Sequence, residues 1–137
     1  MTTHPMIFVN LPIADVAASR SFWSTLGYSF NEQFSDENAL CLVFSDSIFA
    51  MLLQRDFFQS FTDKPVVDAR TSAQVLNGLA MTSRAEVDAL VDAAVAAGAT
   101  EPRPAQDQGF MYERGFSDLD GHDWEIMWMD PSAVEPT

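Results

Sequence analysis

The sequence has few basic residues, two histidines and one cysteine. Seven Lys and Arg against 20 Asp and Glu give a formal net charge of −13, which disfavours nucleic acid and anionic membranes as partners, since both require a basic face. Cys41 has no partner for an internal disulfide, as is typical of a reducing compartment. The first residues, "MTTHPMIFVN", do not follow the signal-peptide pattern, and no apolar run approaches membrane-spanning length. We therefore expect a cytoplasmic protein that binds neither nucleic acid nor membranes.

Two stretches of the chain repeat the same order of patterns. "MIFVNLPI" favours a strand and is followed by a capped amphipathic helix pattern, and "GLAMT" is followed by a second one. Val16 and Gly27 recur 71 positions later as Val87 and Gly98, and this constant offset indicates internal duplication. The sequence predicts first strands near 5–12 and 75–82, and helices near 15–26 and 84–97.

Strand-like segments follow each helix. They are "YSFNEQF", "NALCLVFSD" and "SIFAMLLQ" in the first half, then "GFMYERGFSD" and "HDWEIMWMD" around an Asp-Gly turn in the second. The fold class is therefore α+β, with modules at about 4–54 and 75–130 in a single domain of residues 1–137, joined by a linker at 55–74. In the linker, Phe57, Phe58 and Phe61 either cover the edge of the core or form a pocket lid or a subunit contact.

Two motifs indicate a family. The opening "IFVNLPIADVAASRSFWSTLGYSF" and the closing "FSDLDGHDWEIMW" resemble the vicinal oxygen chelate superfamily, which includes glyoxalase I, bleomycin-resistance proteins and extradiol dioxygenases. The resemblance implies two βαβββ modules that form paired curved sheets. More narrowly, the chain is similar to a bacterial branch commonly labelled predicted lactoylglutathione lyase, a label that follows the fold and does not establish the reaction.

The resemblance also implies positions for a divalent cation. Members that use a metal hold it on four inward side chains, usually His, Gln or Glu, from the first and last strands of each module. Glu125 matches the last position, whereas the others fall at Phe8, at Met51 and at Leu79 or its neighbour Gly78. None of these three suits a hard cation, which prefers oxygen or imidazole nitrogen. No metal site or cofactor is therefore predicted, because the ligand set for a divalent metal is incomplete.

Glu125 is the candidate catalytic residue, because a charge on an apolar strand must be exposed, paired, metal-bound or used in chemistry. Strand alternation predicts that Glu125 faces the interior of the second curved sheet. Asn10, on the face of the first-strand ligand position, either contacts a substrate or satisfies a backbone group. Tyr112 and Arg114 are further candidates for substrate binding, and if their face is the inner one, Arg114 pairs with Glu125.

Two classes of function follow. In one, the protein binds a small cationic or aromatic molecule, in the manner of bleomycin-resistance proteins, or acts on it as a metal-independent enzyme. In the alternative, it is a metal-dependent lactoylglutathione lyase, similar to glyoxalase I, with Glu125 as ligand and base. We also expect a homodimer, because 11 Phe and three Trp are many for a small domain and two-module members of this superfamily commonly pair.

Overall fold

The computed structural model describes residues 1–133. Its contacts divide the chain into two compact units, one of residues 1–68 and a second that begins at Ala69. Each unit contains a four-stranded mixed sheet and one long helix, which confirms the α+β class and the repeated plan. In the described part of the chain, no helix is long and apolar enough to cross a membrane.

The first unit packs helix α1 against one face of its sheet. The strand order is β1-β4-β3-β2, with β1 parallel to β4 and the other neighbours antiparallel. Phe22 and Trp23 of α1 are buried, as are Leu40 and Leu52 of the sheet. The elements are β1 (Ile7–Ile13), α1 (Val16–Thr25), β2 (Ser29–Phe30), β3 (Ala39–Val43), β4 (Ile48–Gln54) and a short helix, α2 (Arg55–Gln59).

The second unit repeats this arrangement with strand order β5-β8-β7-β6, in which β5 and β8 are parallel. Helix α3 contacts β7 and β8, and its Val87 and Val91 are fully buried, as is Ile126 of the sheet. The elements are β5 (Leu76–Ala80), α3 (Arg84–Ala96), β6 (Gln106–Asp107), β7 (Met111–Ser117) and β8 (Asp123–Met129).

Both long helices begin and end where the sequence predicts, to within two residues. The Asp15 side chain accepts a hydrogen bond from the backbone at the start of α1, and the Ser83 side chain does the same for α3. Gly27 and Gly98 follow the helices with φ of 95° and 115°, the left-handed conformation that glycine adopts without strain. Local capping chemistry therefore sets both helix boundaries.

One segment differs from the sequence expectations, and the start of the linker forms a short helix, which the spacing of its phenylalanines favours. Of "YSFNEQF", only Ser29–Phe30 is strand, because the Asn31 side chain accepts a hydrogen bond from the Gln33 amide and starts a 3₁₀ turn over Glu32–Phe34. The expected linker begins with α2, which continues directly from β4 within the first unit. On α2, Phe57 packs edge-on against Phe61, which is 70% exposed.

We predict that Gly121→Ala destabilises the protein more than Gly109→Ala. Both glycines have positive φ, 87° and 82°, so each alanine costs about 1–2 kcal/mol of backbone strain. A Cβ at Gly121 would also lie 2.5 Å from the Arg70 nitrogen, whereas one at Gly109 would meet nothing within 4 Å. We expect an additional loss of about 1–3 kcal/mol for Gly121→Ala in urea unfolding. Equal losses for the two variants would contradict this packing.

Candidate functional site

Helix α3 covers only one of the two faces of the second sheet. Helix α3 packs on one face, where Phe116, Trp124 and Ile126 are at most 2% exposed. Glu125 and Met127 point to the opposite face, which α3 leaves uncovered, and both are half-buried. This is the alternation along β8 that the sequence indicates.

Glu125 lies between two glycines. Its partners in the sheet are Gly78 on β5 and Gly115 on β7, so neither neighbouring strand places a side chain beside it. A Cβ at Gly115 would lie 3.7 Å from Glu125 Oε2, and one at Gly78 would lie 3.2 Å from the Met127 methyl carbon. The Met127 methyl group therefore lies over Gly78, whereas Gly115 leaves the Glu125 carboxyl group accessible on its other side.

A cleft of about 250 Å³ lies at this position on the sheet face. Its volume suits a small molecule or one functional group of a larger ligand. The cleft combines apolar walls with polar groups from β6, from β7 and from the loop before β6. Besides Glu125 and its glycine neighbour on β7, its lining includes Leu76, Pro102, Arg103, Pro104, Gln106 and Glu113.

Glu113 is the site residue that the sequence did not identify. It lies on β7 two residues before Gly115, and its carboxyl group is within hydrogen-bonding reach of Glu125. This hydrogen bond, followed by burial, raises the pKa of Glu125 to about 7, with Asp123 acting in the same direction and Arg103 opposing it. Near neutral pH, Glu125 can therefore both accept and donate a proton.

Arg114 faces α3 and does not face Glu125. Its guanidinium group donates hydrogen bonds of 2.9 Å to Asp88, Asp92 and Glu101. These carboxylates raise the pKa of Arg114 well above its ordinary value. The expected pair of Arg114 with Glu125 is wrong, because the register of the β7–β8 hairpin places Arg114 opposite Ile126.

Tyr112 lies on the same face as Arg114. Its hydroxyl group donates a 2.6 Å hydrogen bond to Asp88 of α3, and this bond is the largest cause that lowers the pKa of Asp88. Together with Arg114, it joins β7 to α3. These two residues are therefore positioned as structural contacts on the covered face, and Arg114 also borders the cleft.

Asn10 belongs to the first unit. It is exposed on β1 and pairs with Met51 of β4. Strand alternation puts Asn10 and Phe8 on the same face of the sheet, as expected, and the Phe8 ring stacks on Phe49 with a centroid distance of 4.9 Å. This face of the first sheet is thus largely apolar around a single amide.

The residues at the superfamily's ligand positions do not fit a divalent cation. In the second sheet, Gly78 and not Leu79 lies beside Glu125, since Leu79 pairs with Ile126 on the covered face. In the first sheet, the resemblance assigns ligand positions at or near Phe8 and near Met51; Phe8 pairs with Phe49, and Met51 pairs with Asn10. Across residues 1–133, no group of three or more His, Cys, Asp or Glu side chains could hold a metal ion.

Comparisons with known proteins agree with this architecture. A family model described as "Bleomycin resistance protein-like N-terminal" matches residues 6–45. A hypothetical protein from S. aureus superimposes with a TM-score of 0.77 at 22% identity, over 93% of this chain and 95% of that one. The chain has the vicinal oxygen chelate fold. The resemblance noted from the sequence motifs is thereby confirmed.

Other solved structures share the same fold. A glyoxalase-related enzyme from Fulvimarina pelagi matches with a TM-score of 0.77 at 22% identity, over 90% of this chain and 86% of that one. A fosfomycin resistance protein from Listeria monocytogenes matches with a TM-score of 0.67 at 15% identity, over 96% and 98% of the two chains. Comparison with curated proteins gives no match. Proteins whose names indicate different activities are thus similar to this chain in fold.

We predict that Arg114→Met destabilises the protein by about 2–4 kcal/mol, because it leaves three carboxylates around a side chain that is only 13% exposed. The matched control is Arg20→Met, which removes a pair with Glu32 whose side chains are 38% and 68% exposed. The control loss should be about 0–1 kcal/mol. Thermal and urea unfolding measure both variants. A loss for Arg114→Met no larger than the control would show that this cluster does not join β7 to α3.

Proposed function

We propose that the protein binds a small molecule in the cleft of the second sheet, with Glu125 as the central polar contact. One observation carries this proposal: the half-buried carboxyl group of Glu125 and its side-chain-free neighbour Gly115 both line an open cleft. A carboxyl group on an apolar strand requires a partner, and the open cleft gives a ligand direct access to it.

The chemistry of the cleft favours an organic cation with an apolar body. Three acidic residues line the cleft, Glu113, Asp123 and Glu125, against two basic ones, Arg103 and Arg114. Arg114 is already paired with the carboxylates of Asp88, Asp92 and Glu101. Leu76 and the prolines on either side of Arg103 offer apolar contact. The net charge of −13 attracts cations at long range. The match of residues 6–45 to a bleomycin-resistance-like model supports a small molecule as the ligand.

A second candidate is a metal-independent enzyme that transfers a proton beside a carbonyl group. The observation in its favour is the raised pKa of Glu125, about 7, which suits a general base at neutral pH. A glyoxalase I-like lyase would also require metal ligands at Phe8, Met51 and Gly78, and these side chains have no suitable donor. We therefore do not propose metal-dependent lactoylglutathione lyase activity.

The binding proposal is tested by calorimetric titration with aromatic amidines such as benzamidine, which are cationic at neutral pH. We expect Glu125→Gln to weaken binding about 30-fold or more, because removing one partner of a desolvated charge pair costs roughly 2–5 kcal/mol. Gly78→Val should also weaken it, since the new side chain would crowd the Met127 methyl group on the face of the sheet that carries Glu125. Glu37→Gln, which alters an exposed residue of the first unit, is the control. If both cleft variants bind like the control, the ligand site lies elsewhere.

We further propose that the chain forms a cytoplasmic homodimer and that residues 1–137 act as a single domain. Large apolar side chains that are at least 43% exposed, among them Ile7, Phe8 and Ile48, support self-association. Multi-angle light scattering at micromolar concentration should give twice the 15.2 kDa chain mass. A constant mass near 15.2 kDa across a concentration series would rule out the dimer.

A further inference from the structure

Three methionine side chains continue the face of the second sheet that carries Glu125. Met127 and Met129 follow Glu125 on that face of β8, and Met111 of β7 lies opposite Met129. We infer that these three residues, the methionine floor, bind the apolar body of an elongated aromatic cation whose charged end lies at Glu125. This inference rests on the proposed function and specifies the class of its ligand.

The polarity of this face changes along the two strands. Glu125 lines the cleft, and one step farther along β8 Met127 pairs with Glu113, which also lines the cleft. One step beyond that pair, Met129 and Met111 lie opposite each other, so thioether groups replace the carboxylates. A molecule with a cationic end and an apolar body matches this order of groups.

Met127 is the first apolar side chain beyond the Glu125 carboxyl group. Its methyl carbon would lie 3.2 Å from a Cβ placed on Gly78, which is the β5 partner of Glu125. The Met127 side chain therefore reaches back along the sheet toward the carboxyl group. Methionine is flexible and makes favourable contacts between its sulfur and aromatic rings. Met127 can thus adapt to an aromatic ring whose cationic substituent pairs with Glu125.

The methionine floor has room for such a body. Met129 is 39% exposed, and Met111 and Met127 are half-buried. The four residues from Glu125 to Met129 correspond to about 13 Å along a strand. That distance suits one aromatic ring that carries a short alkyl chain.

The other end of the same face is more polar. Asp123 precedes Glu125 on this face of β8, and it pairs with Leu76 of β5 and with Ser117 of β7. The Asp123 carboxylate accepts a hydrogen bond from the Ser117 hydroxyl group. An alkyl chain directed this way would remove a carboxylate from water, which is costly. The apolar body is therefore expected to extend toward the methionine floor.

The first experiment compares benzamidine with 4-butoxybenzamidine by calorimetric titration of the native chain. Both compounds carry the same amidinium charge, and only the second has an alkyl chain that can reach Met129. Each buried methylene strengthens binding by up to about fourfold, so we expect the chain to increase affinity about tenfold or more. Equal affinities of the two compounds would contradict the inference and leave the proposed function standing.

The matched variants are Met129→Gln and Val95→Gln. Met129→Gln keeps the length of the side chain and adds a polar amide, so the gain from the butoxy chain should fall to about twofold or less. Val95 is 42% exposed on α3, on the other side of the sheet, and Val95→Gln should retain the whole gain. An undiminished gain in Met129→Gln would overturn the inference.

The second experiment follows the methyl signals of the seven methionines by NMR after ¹³C labelling. 4-Butoxybenzamidine should shift the signals of Met111, Met127 and Met129 and leave the signal of Met1, which is fully exposed, unchanged. The absence of shifts at the three floor residues would contradict the inference. Shifts at these residues on dilution without ligand would show that a second copy of the chain covers the floor, which would also contradict it.

The compound 4-butoxybenzoate separates this inference from the proposed function, because it has the same chain and the opposite charge. We expect it to bind about tenfold or more weakly than 4-butoxybenzamidine, since its carboxylate would approach Glu113 and Glu125. Equally tight binding with shifts at the three methionines would support the methionine floor and contradict cation recognition by Glu125. Failure of both amidines to bind would contradict the proposed function and this inference together.

Discussion

The register of β8 against its two neighbouring strands places every group of the candidate site. Parallel pairing with β5 puts Gly78 beside Glu125, and antiparallel pairing with β7 puts Gly115 on the other side. The same register places Glu113 diagonally from Glu125 and directs Arg114 to α3. A shift of one residue would turn these side chains to the other face of the sheet, so the burial of Trp124 and Ile126 against α3 holds the register in place.

The features that were predicted correctly from the sequence are those that depend on residues close together in the chain. Helix boundaries follow from Asp15 and Ser83 as caps and from Gly27 and Gly98 as ends, and each of these signals lies within a turn of the boundary it sets. Alternation along one strand likewise predicts that Glu125 faces away from Trp124 and Ile126.

The partners of Glu125 could not be predicted in the same way, because they depend on pairing between strands. The connection from β7 to β8 is a loop in which the Asp118 amide bonds to the His122 carbonyl group and the Asp118 carboxylate accepts from the Trp124 ring nitrogen. This geometry determines that Gly115, and not Arg114, lies opposite Glu125. An Asp-Gly turn predicts that a hairpin exists, but it leaves the pairing uncertain by one residue, enough to exchange a glycine for an arginine.

The resemblance places Glu125 at one ligand position of the superfamily's metal site, and its surroundings here differ from a set of metal ligands. Gly78 has no side chain that could bind a cation, and Glu113 supplies a hydrogen-bonding partner from β7. The change from cation ligands to a carboxyl pair in an open cleft alters the available chemistry. Lewis-acid activation needs donors that these positions lack, whereas cation recognition and proton exchange need only the groups present.

The most direct test of this account is an atomic-resolution crystal structure of protein purified without chelator at neutral pH, with anomalous data collected at the zinc and nickel edges. We predict adjacent Glu113 and Glu125 oxygens about 2.5–2.7 Å apart, as expected for a hydrogen bond between a carboxylic acid and a carboxylate, and no anomalous peak in the cleft. An anomalous peak within about 2.0–2.2 Å of a Glu125 oxygen would identify a metal centre and contradict the account.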